Sequence, residues 1–317
     1  MSEEYRFERI SEERLGDFVA LAKNAFGISY SIEQCRDIFG TGAWGKKYVG
    51  FLAYSTQTGE PAAFYGIYPC VAEIDGRQVL VAQSGHTMTH TGHRKKGLFY
   101  RLAGETFDLA RQEGIAFVFG FPNASSYPGF MKLGWTHDGE MRSYHLLVPT
   151  FPLGHLAARF PGLRSINDRW FRFVTSFWRT NYRPFPSSAI ESEFGGLVHD
   201  ERFLDYKKEE ATRIMIEVAG RTVWINQKDG SVGIGDIELG ADSQVSFRKI
   251  IRTVKLICFL AGSVDLRTYL SPGSRLDRFF DEQGYTARPG LANCYFPLAE
   301  DLPMGRFKYV YADYDTF

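Results

Sequence analysis

A loop rich in glycine and basic residues joins a strand pattern to a helix pattern in the N-terminal half of the chain. The strand pattern covers Val79–Thr89, the loop covers Thr91–Gly97, and the helix pattern covers Lys96–Gln112. A short apolar run, Ile115–Phe119, follows, and its length suits a buried parallel strand. Because parallel strands are joined by a crossover that is usually a helix, this succession predicts an α/β fold.

The patterns around this unit predict a mixed α/β layer over residues 5–148, in the order β-α-α-β-β-β-α-β-α-β. Asp75-Gly76 supplies the positive φ angles that a tight hairpin turn requires. The helix after the last loop is predicted at Tyr127–Leu133. The other predicted strands are Tyr5–Ile10, Tyr48–Tyr54, Ala62–Glu73 and Thr136–Val148.

The second half of the chain repeats the strand-helix-strand-helix-strand order of the first half. Leu133-Gly134-Trp135 corresponds to Gln283-Gly284-Tyr285, each before a final strand, which indicates an internal duplication. The proline-bearing stretch after Val148 predicts a linker, with a helix at Trp170–Trp178. The predicted domains are therefore residues 1–148 and 186–317, with a linker over residues 149–185. In the second domain we predict a strand at Met215–Ile225.

The charge balance and the cysteines limit the class of protein. Lys+Arg and Asp+Glu both total 37. The chain therefore lacks the surplus of basic residues that is typical of nucleic-acid-binding proteins. The four cysteines are scattered among apolar residues, which predicts buried free thiols and no metal site. The polar N-terminus is unlike a signal peptide, and no apolar run approaches the about 20 residues of a membrane span. These features predict a cytoplasmic protein with no membrane partner.

The loop at Arg94-Lys95-Lys96-Gly97 has the properties of an anion site. The first backbone N–H groups of a helix have no partner within the helix, and the helix dipole places partial positive charge there. Gly97 allows close approach of an anion, and the lysines can screen its remaining charge. The alternative is a solvated basic helix start.

An ordered set of motifs resembles the GNAT superfamily of acyl-CoA N-acyltransferases. Arg94-Lys95-Lys96-Gly97 matches the pyrophosphate loop, and Phe117–Phe119 followed by Asn123 matches the splayed strand and its asparagine. The stretch from Phe130 to Trp135 matches the family's Tyr-x-x-x-Gly-Phe motif. The resemblance covers about residues 5–148.

This resemblance implies an acyl-CoA co-substrate and no metal. The pyrophosphate would contact the loop and the helix start at Leu98 and Phe99. The pantetheine arm would run beside Val81–Met88, with Asn123 as a hydrogen-bond partner. The alternative for Asn123 is a plain turn residue.

Two positions depart from the family pattern. Phe99 stands where a second glycine is frequent. Phe130, which has no proton to give, stands where the family often has its general-acid tyrosine. Tyr127, about one helical turn earlier, is the candidate replacement.

The amine must be neutral to attack a thioester, so we looked for a general base near the strand Gln83–Thr89. Strand alternation predicts that residues 84, 86, 88 and 90 share one face. His86 and His90 are therefore the candidate bases. The alternative for each is a hydrogen-bonded structural histidine.

Aromatic and acidic residues are the candidates for acceptor binding. Tyr30 and Trp44 flank the second predicted helix and are expected to stack on the acceptor. Asp313 and Asp315, in an aromatic C-terminal tail, are expected to hold a cationic amine. The alternatives are core packing for the rings and a solvated chain end for the carboxylates.

The second copy lacks the basic loop and has Leu239–Gln244, including Asp242, in its place. One coenzyme site per chain and a degenerate second copy that completes the acceptor pocket are therefore predicted.

This tandem arrangement resembles bacterial N-acyltransferases of dTDP-linked amino sugars, which act in polysaccharide biosynthesis. It implies transfer of an acetyl or short hydroxyacyl group by a monomer or homodimer. The open alternatives are a small-amine or antibiotic N-acetyltransferase and a non-catalytic acyl-CoA sensor.

Overall fold

The computed structural model describes residues 4–207, 212–240 and 243–317. They divide into two compact units that are not contiguous in sequence. Unit 1 comprises the residues up to Ala72, Gln78–Gly139 and Ala292–Gly305. Unit 2 comprises Glu73–Arg77, Glu140–Leu291 and Arg306–Phe317.

The element order of the N-terminal half is the one that the sequence predicts. Its hairpin turn is confirmed by positive φ angles at Asp75 and Gly76. The elements are β1 (Tyr5–Arg9), α1 (Leu15–Phe26), α2 (Ile32–Ile38), β2 (Gly50–Ser55), β3 (Pro61–Ile74), β4 (Arg77–Thr89), α3 (Leu98–Gln112), β5 (Phe117–Gly120), α4 (Tyr127–Lys132) and β6 (Thr136–Leu147).

The C-terminal half repeats this strand and helix alternation, and several of its elements differ from prediction. The predicted strand at Met215–Ile225 is wrong, because Ala219 and Gly220 have positive φ angles and turn the chain into a hairpin. The linker helix begins earlier than predicted. The elements are α5 (Leu153–Arg159), α6 (Arg164–Thr175), β7 (Gly196–Leu197), α7 (Glu201–Lys207), β8 (Ile214–Val218), β9 (Arg221–Lys228), β10 (Ser231–Ile237), α8 (Ser243–Ala261), β11 (Asp265–Leu270), α9 (Arg275–Glu282) and β12 (Ala287–Pro297).

The sheet of unit 1 is mixed. β1 pairs antiparallel with β2, and β2 pairs antiparallel with β3. β4 and β5 run parallel, and Cys294–Pro297 of β12 pairs antiparallel with β5 on its other side. Helices cover both faces. Leu102 and Phe107 of α3 join one core cluster, while Phe18 of α1 and Cys35 of α2 join the other.

The strands of unit 2 also pair in a mixed pattern. β10 and β11 run parallel, and β8, β9 and β10 are antiparallel neighbours. Residues 142–147 of β6 pair antiparallel with β11. The buried side of α8 presents Phe247, Ile250 and Val254. The predicted α/β class with mixed sheets is confirmed.

The last strands of the two predicted copies each pair with a strand of the other half of the chain. β6 follows the first copy in sequence but pairs with β11, while β12 ends the second copy and pairs with β5. The compact units therefore have different bounds from the predicted segments 1–148 and 186–317. The sequences of β6 and β12 do not show which sheet strands each of them pairs with, because each could pair equivalently with the strands of either predicted copy.

Two expectations about side chains and segments can be checked directly. Cys35, Cys70, Cys258 and Cys294 are free and buried, as predicted. Among the described residues, none of the helices combines the length and the hydropathy needed to cross a bilayer.

Candidate active site

Hydrogen bonds from three elements fix the start of the loop between β4 and α3. His93 lies between Tyr5 of β1 and Glu60, with distances of 2.9 Å from Nδ1 to the Tyr5 hydroxyl and 3.0 Å from Nε2 to Glu60 Oε1. Its hydrogen bond lowers the pKa of Glu60. The backbone N–H of Thr91 donates to Asn24 Oδ1 of α1 at 2.8 Å. The loop therefore has a fixed beginning, although Arg94 to Gly97 are exposed.

The end of the loop forms a backbone cradle at the N-terminus of α3. Lys95 and Gly97 have left-handed φ angles of 65° and 74°, and α3 begins at Leu98. Within the described residues, the N–H groups of Gly97, Leu98 and Phe99 donate to no backbone carbonyl. Alternating left-handed residues turn such N–H groups toward one side, where they bind an anion together with the helix dipole.

The position of Gly97 leaves space above this cradle. A Cβ atom built at Gly97 would meet no protein atom within 4 Å. Glycine is therefore needed at this position because of the φ angle and because an anion can approach the backbone there. It is not needed for close packing against other protein atoms.

The basic side chains of the loop have different positions. Arg94 lines a cleft beside the cradle. Lys96 makes an exposed ion pair with Glu4 at 3.1 Å, which raises the pKa of Lys96. Lys95 is exposed. Arg94 is thus the cation placed to meet a ligand in the cleft, and Lys96 is partly engaged by Glu4.

The cleft has a volume of about 420 Å³ and lies within unit 1. It is bordered by the end of β4, the start of α3, the segment before and within α4, and the end of α1. The sequence analysis missed its hydroxyl-bearing residues, because nothing in the sequence brings residues 87–89 and 125–126 together. The lining residues are Ala25, Phe26, Thr87, Met88, Thr89, Arg94, Phe99, Tyr100, Ser125, Ser126 and Gly129.

The sheet opens where this cleft begins. The parallel register between β4 and β5 comprises Ala82 with Val118 and Gln83 with Phe119, whereas β4 continues to Thr89. β5 ends at Gly120, which still lies close to Ser84, so among the described residues β4 continues to Thr89 without a β5 residue beside it. The splay predicted after Phe117–Phe119 is expected at this point.

The two phenylalanines that depart from the family pattern pack against each other. The ring of Phe99 lies 6.0 Å from the ring of Phe130 and 5.5 Å from that of Tyr65. A Cβ added to Gly129 would approach Phe99 to 3.2 Å, so a small residue is needed opposite the ring. Phe99 can therefore offer a ligand its backbone N–H and one ring edge, and Phe130 is buried.

Asn123 organises the turn before α4. Its Oδ1 accepts the backbone N–H groups of Ser125 and Ser126 at 3.0 and 3.1 Å. Its side-chain nitrogen makes no hydrogen bond among the described residues. The turn alternative of the sequence analysis is thus observed, and a donor is still available for a ligand.

Tyr127, the candidate general acid, lies at the start of α4. Its hydroxyl is 3.2 Å from Nδ1 of the exposed His137, and the two rings meet edge to face. Ser126 and Gly129, on either side of Tyr127, line the cleft, whereas Tyr127 is outside its lining. A role for Tyr127 in protonating a thiolate stays a prediction.

His86 breaks the strand alternation on which its prediction was based. The residue has a left-handed φ of 51°, which identifies a local irregularity in β4. The Ser84 hydroxyl donates to the hydroxyl of Tyr65 in one core cluster, whereas His86 Nδ1 lies 2.8 Å from the hydroxyl of Tyr68 in the other. The prediction that residues 84, 86, 88 and 90 share one face is therefore wrong.

The structure brings His86 together with one predicted acceptor residue. The ring of Tyr30, after α1, is 6.0 Å from the His86 ring. Trp44 is different: it ends a 3-10 turn and is 7% exposed, so little of its indole can stack on a ligand.

His90 lies outside β4, which ends at Thr89, so it does not share the position of His86. Its Nδ1 accepts the backbone N–H of Gly92 at 3.1 Å, and its ring is 5.3 Å from that of His93. This is the structural alternative that the sequence left open, and it makes His90 a loop-fixing residue.

Asp313, predicted to bind an amine, is completely buried in unit 2. It accepts from His199 Nε2 at 2.8 Å and from the backbone N–H of Val310, while Asp236 lies 3.2 Å from His199 Nδ1. These contacts leave no access for an acceptor. Asp315 is exposed.

A second cavity, of about 600 Å³, lies within unit 2 and includes other residues of the same tail. Its lining includes two basic residues, Lys228 and Arg267, and the acidic Asp229; His145, also in the lining, lies 2.8 Å from Asp265. Its remaining lining residues are Ser143, Tyr269, Pro289, Gly290, Leu291, Tyr311, Tyr314 and Thr316.

The turn that replaces the basic loop in the second copy is only partly described. Ala241 and Asp242 lie outside the described residues, and with them the predicted repulsion of a pyrophosphate by Asp242. Before them, the carbonyl of Gly240 accepts from Arg275 at 2.7 Å, and a Cβ at Gly240 would overlap the guanidinium of Arg221.

Comparison with known proteins agrees with the geometry of unit 1. The segment 6–137 matches a family model described as "Acetyltransferase (GNAT) domain". The match covers 132 of the 317 residues, so over this segment the chain is similar to GNAT acetyltransferase domains. No curated protein sequence matches the chain significantly. The chain therefore contains an acyltransferase domain, as the sequence predicts.

Solved GNAT structures share the fold over nearly the whole chain. A GCN5-related N-acetyltransferase from Kribbella flavida has 16% identity and a TM-score of 0.58, covering 93% of this chain and 72% of its own. One from Anabaena variabilis has 13% identity and a TM-score of 0.59, covering 93% and 73%. The N-myristoyltransferase of Saccharomyces cerevisiae, solved with bound myristoyl-CoA, has 11% identity and a TM-score of 0.58, covering 96% and 85%. At these identities the similarity establishes the fold alone.

Proposed function

We propose that this protein transfers an acyl group from acyl-CoA to an amine, with the coenzyme bound in the cleft of unit 1. The proposal rests on three features that lie at the same cleft: the backbone cradle at Gly97–Phe99, the side chain of Arg94, and the end of the pairing between β4 and β5. A pyrophosphate needs N–H donors and positive charge, and an amide-bearing arm needs an open strand edge.

The proposed coenzyme position follows from these features. The pyrophosphate lies over the N-terminus of α3, near Arg94. The pantetheine arm follows the edge of β4 past Thr89 and Thr87 toward Gln83, because β5 pairs with β4 only at Ala82 and Gln83 in the part of the chain that the structure describes. The side-chain nitrogen of Asn123 donates to the arm from the opposite side.

The proposed reaction is direct attack on the thioester. The neutral amine nitrogen forms a bond to the carbonyl carbon, the carbon–sulfur bond breaks, and the thiolate takes up a proton. His86 accepts the proton that the amine releases, and Tyr68 fixes its ring through Nδ1. The proton for the thiolate comes from Tyr127 or from solvent.

For the acceptor, we favour a nucleotide-linked amino sugar. The cavity of unit 2 supports this choice, because Lys228 and Arg267 complement a diphosphate and Tyr269 offers a ring for a base. A small amine or an antibiotic lacks the anionic group that would use these side chains. A non-catalytic acyl-CoA sensor would need the first cleft alone.

Turnover with a matched acceptor panel tests the proposal. Acetyl-CoA and short hydroxyacyl-CoA would be incubated with dTDP-amino sugars, aminoglycosides and simple amines, and released CoA would be measured with a thiol reagent. Burial raises the pKa of Cys35 to about 11 and that of Cys294 to about 12, so the protein itself should contribute little signal.

The outcomes of this assay separate the candidate functions. Turnover of dTDP-amino sugars supports the whole proposal, and loss of that turnover in Arg267→Ala through a raised KM supports the acceptor class. Turnover of aminoglycosides alone would contradict the acceptor. Tight CoA binding without any turnover would establish the sensor instead.

A further inference from the structure

The outer surface of unit 2 carries an unusual concentration of exposed apolar side chains. Among the described residues, fourteen large apolar residues are exposed, and eleven of them fall within residues 147–177 and the C-terminal part of α8. We call these eleven residues the apolar patch. They are Leu147, Phe151, Phe160, Leu163, Ile166, Trp170, Phe173, Phe177, Leu256, Phe259 and Leu260.

Hydrogen bonds and ring contacts join the segments of the apolar patch. The indole N–H of Trp170 donates to the carbonyl of Leu260 at 2.8 Å, which connects α6 to α8. The hydroxyl of Thr150 donates to the carbonyl of Phe259 at 2.8 Å, which brings Phe151 to the same place. A chain of rings continues from Trp170 through Phe173 to Phe177 at 5.5 and 5.7 Å. Six residues of the patch are therefore neighbours on one surface: Phe151, Trp170, Phe173, Phe177, Phe259 and Leu260.

The helix α6 has two apolar sides, and only one faces the core. Asn167, Phe171 and Val174 are buried, and Asn167 donates to Gln227 at 2.9 Å. Trp170 and Phe173 face outward, and Phe177, just beyond the helix, is 71% exposed. Apart from the hydrogen bond of Trp170 to Leu260, α6 is attached to unit 2 through its other side, and large exposed apolar patches mark interaction sites.

Charge identifies the partner. Residues 147–183 contain six arginines and one aspartate, and α8 contains four basic residues and no acidic one, although the whole chain has no net charge. Exposed cations flank the patch on both helices. They include Arg159, Arg164, Arg169, Arg172, Lys249 and Arg252.

Aromatic and aliphatic side chains rimmed by arginine fit the interface of an anionic lipid bilayer. Rings enter the headgroup boundary while the long arginine side chains reach the lipid phosphates. We propose that unit 2 docks peripherally on a membrane rich in anionic lipid through the apolar patch. This proposal departs from the prediction of no membrane partner, which rested on the lack of an apolar run long enough to span a bilayer, and it is independent of the proposed acyl transfer.

A second copy of the chain fits this surface less well. A twofold symmetric contact would place the patch against itself and bring the arginines of α6 close to those of the partner. Like charges at a rim oppose association, whereas lipid phosphates neutralise them.

Binding of the full chain to vesicles tests the proposal. We expect sedimentation with vesicles of phosphatidylcholine mixed with phosphatidylglycerol, weak sedimentation with phosphatidylcholine alone, and release at high salt. Arg169→Glu/Arg172→Glu should lower the partition coefficient by at least about tenfold. Phe173→Ser/Phe177→Ser should abolish binding, and both residues are exposed enough for the fold to survive.

A matched control uses Arg77→Glu/Arg288→Glu, two exposed arginines of unit 2 outside the patch, which should bind like the unchanged protein. Circular dichroism would confirm that all variants are folded. Equal binding to neutral and anionic vesicles, or equal loss in the control, would overturn the charge argument. Absence of vesicle binding with self-association that the Phe173→Ser/Phe177→Ser change removes would make the patch an interface between copies and refute the proposal.

Discussion

At the residue scale, Gly97 has a left-handed φ angle that favours glycine, and a side chain at this position would project into empty space. Its φ of 74° disfavours any residue with a Cβ by about 1 kcal/mol, while a side chain there would meet no protein atom. A substitution should therefore cost little stability but project into the proposed phosphate position. The two effects can be separated by side-chain charge.

We predict a graded loss of coenzyme affinity in Gly97→Ala, Gly97→Gln and Gly97→Glu. Alanine should weaken CoA binding modestly through strain, glutamine more through bulk, and glutamate by at least about a hundredfold, because negative charge opposes the pyrophosphate. Calorimetric titration with CoA measures this, and unfolding of each variant provides the control. Equal affinities for glutamine and glutamate would show that no phosphate lies there.

His86 is a second residue with both an unusual backbone conformation and a proposed chemical role. We predict that His86→Asn, which tolerates the left-handed φ of 51°, lowers kcat strongly and leaves the KM for acyl-CoA nearly unchanged. Tyr68→Phe should have a smaller effect, since it only releases the ring. His90→Asn serves as a histidine control in the neighbouring loop. Unchanged kcat in His86→Asn would remove this residue as the base.

At the element scale, the order of strands and helices could be predicted because each element has its own periodicity and turn residues. Asp75-Gly76 and the helix after Gly97 are examples that depend on local conformation alone. The left-handed φ of His86 could not be predicted, since histidine does not require it and tertiary contacts with Tyr68 stabilise it. The hydroxyl groups that line the cleft could not be predicted either, because they come from residues 87–89 and 125–126, which are distant in sequence.

The turn before α4 allows a test of element stability against ligand contact. Asn123→Asp keeps the oxygen that accepts from Ser125 and Ser126 but loses the amide N–H donor. We predict that this variant unfolds at nearly the normal temperature and has a raised KM for acyl-CoA. Asn123→Ala should also lose about 1 kcal/mol of stability, because both N–H groups lose their acceptor. A normal KM in the aspartate variant would leave Asn123 a purely structural residue.

At the scale of the whole molecule, the two sequence copies do not coincide with the two compact units. β6 and β12 follow equivalent helices, yet each completes the sheet that contains the other copy's parallel pair. No periodicity distinguishes these pairings, because both satisfy the same backbone hydrogen bonds. The C-terminal tail is also part of the fold of unit 2, through the buried contact of Asp313 with His199.

This buried group predicts how stability depends on pH. Burial acts to lower the pKa of His199, but its hydrogen bonds with Asp236 and Asp313 outweigh burial and raise the pKa to about 9. Burial also raises the pKa of Asp313. Both shifts mean that the folded state holds protons more tightly than the unfolded state, whose histidine has a pKa of about 6.5. The stabilisation by protonated His199 is therefore complete below about pH 6.5 and is lost as pH rises toward 9.

Thermal unfolding between pH 6 and pH 9.5, buffered in steps, measures this effect. The unfolding temperature should fall by at least a few degrees, about 2–4 °C for each kcal/mol lost. His199→Gln should be less stable at neutral pH and should show a flatter dependence above about pH 6.5. An equal slope in His199→Gln would mean that His199 is neutral when folded, and that the tail is retained by packing of Tyr311 and Phe317 rather than by charge.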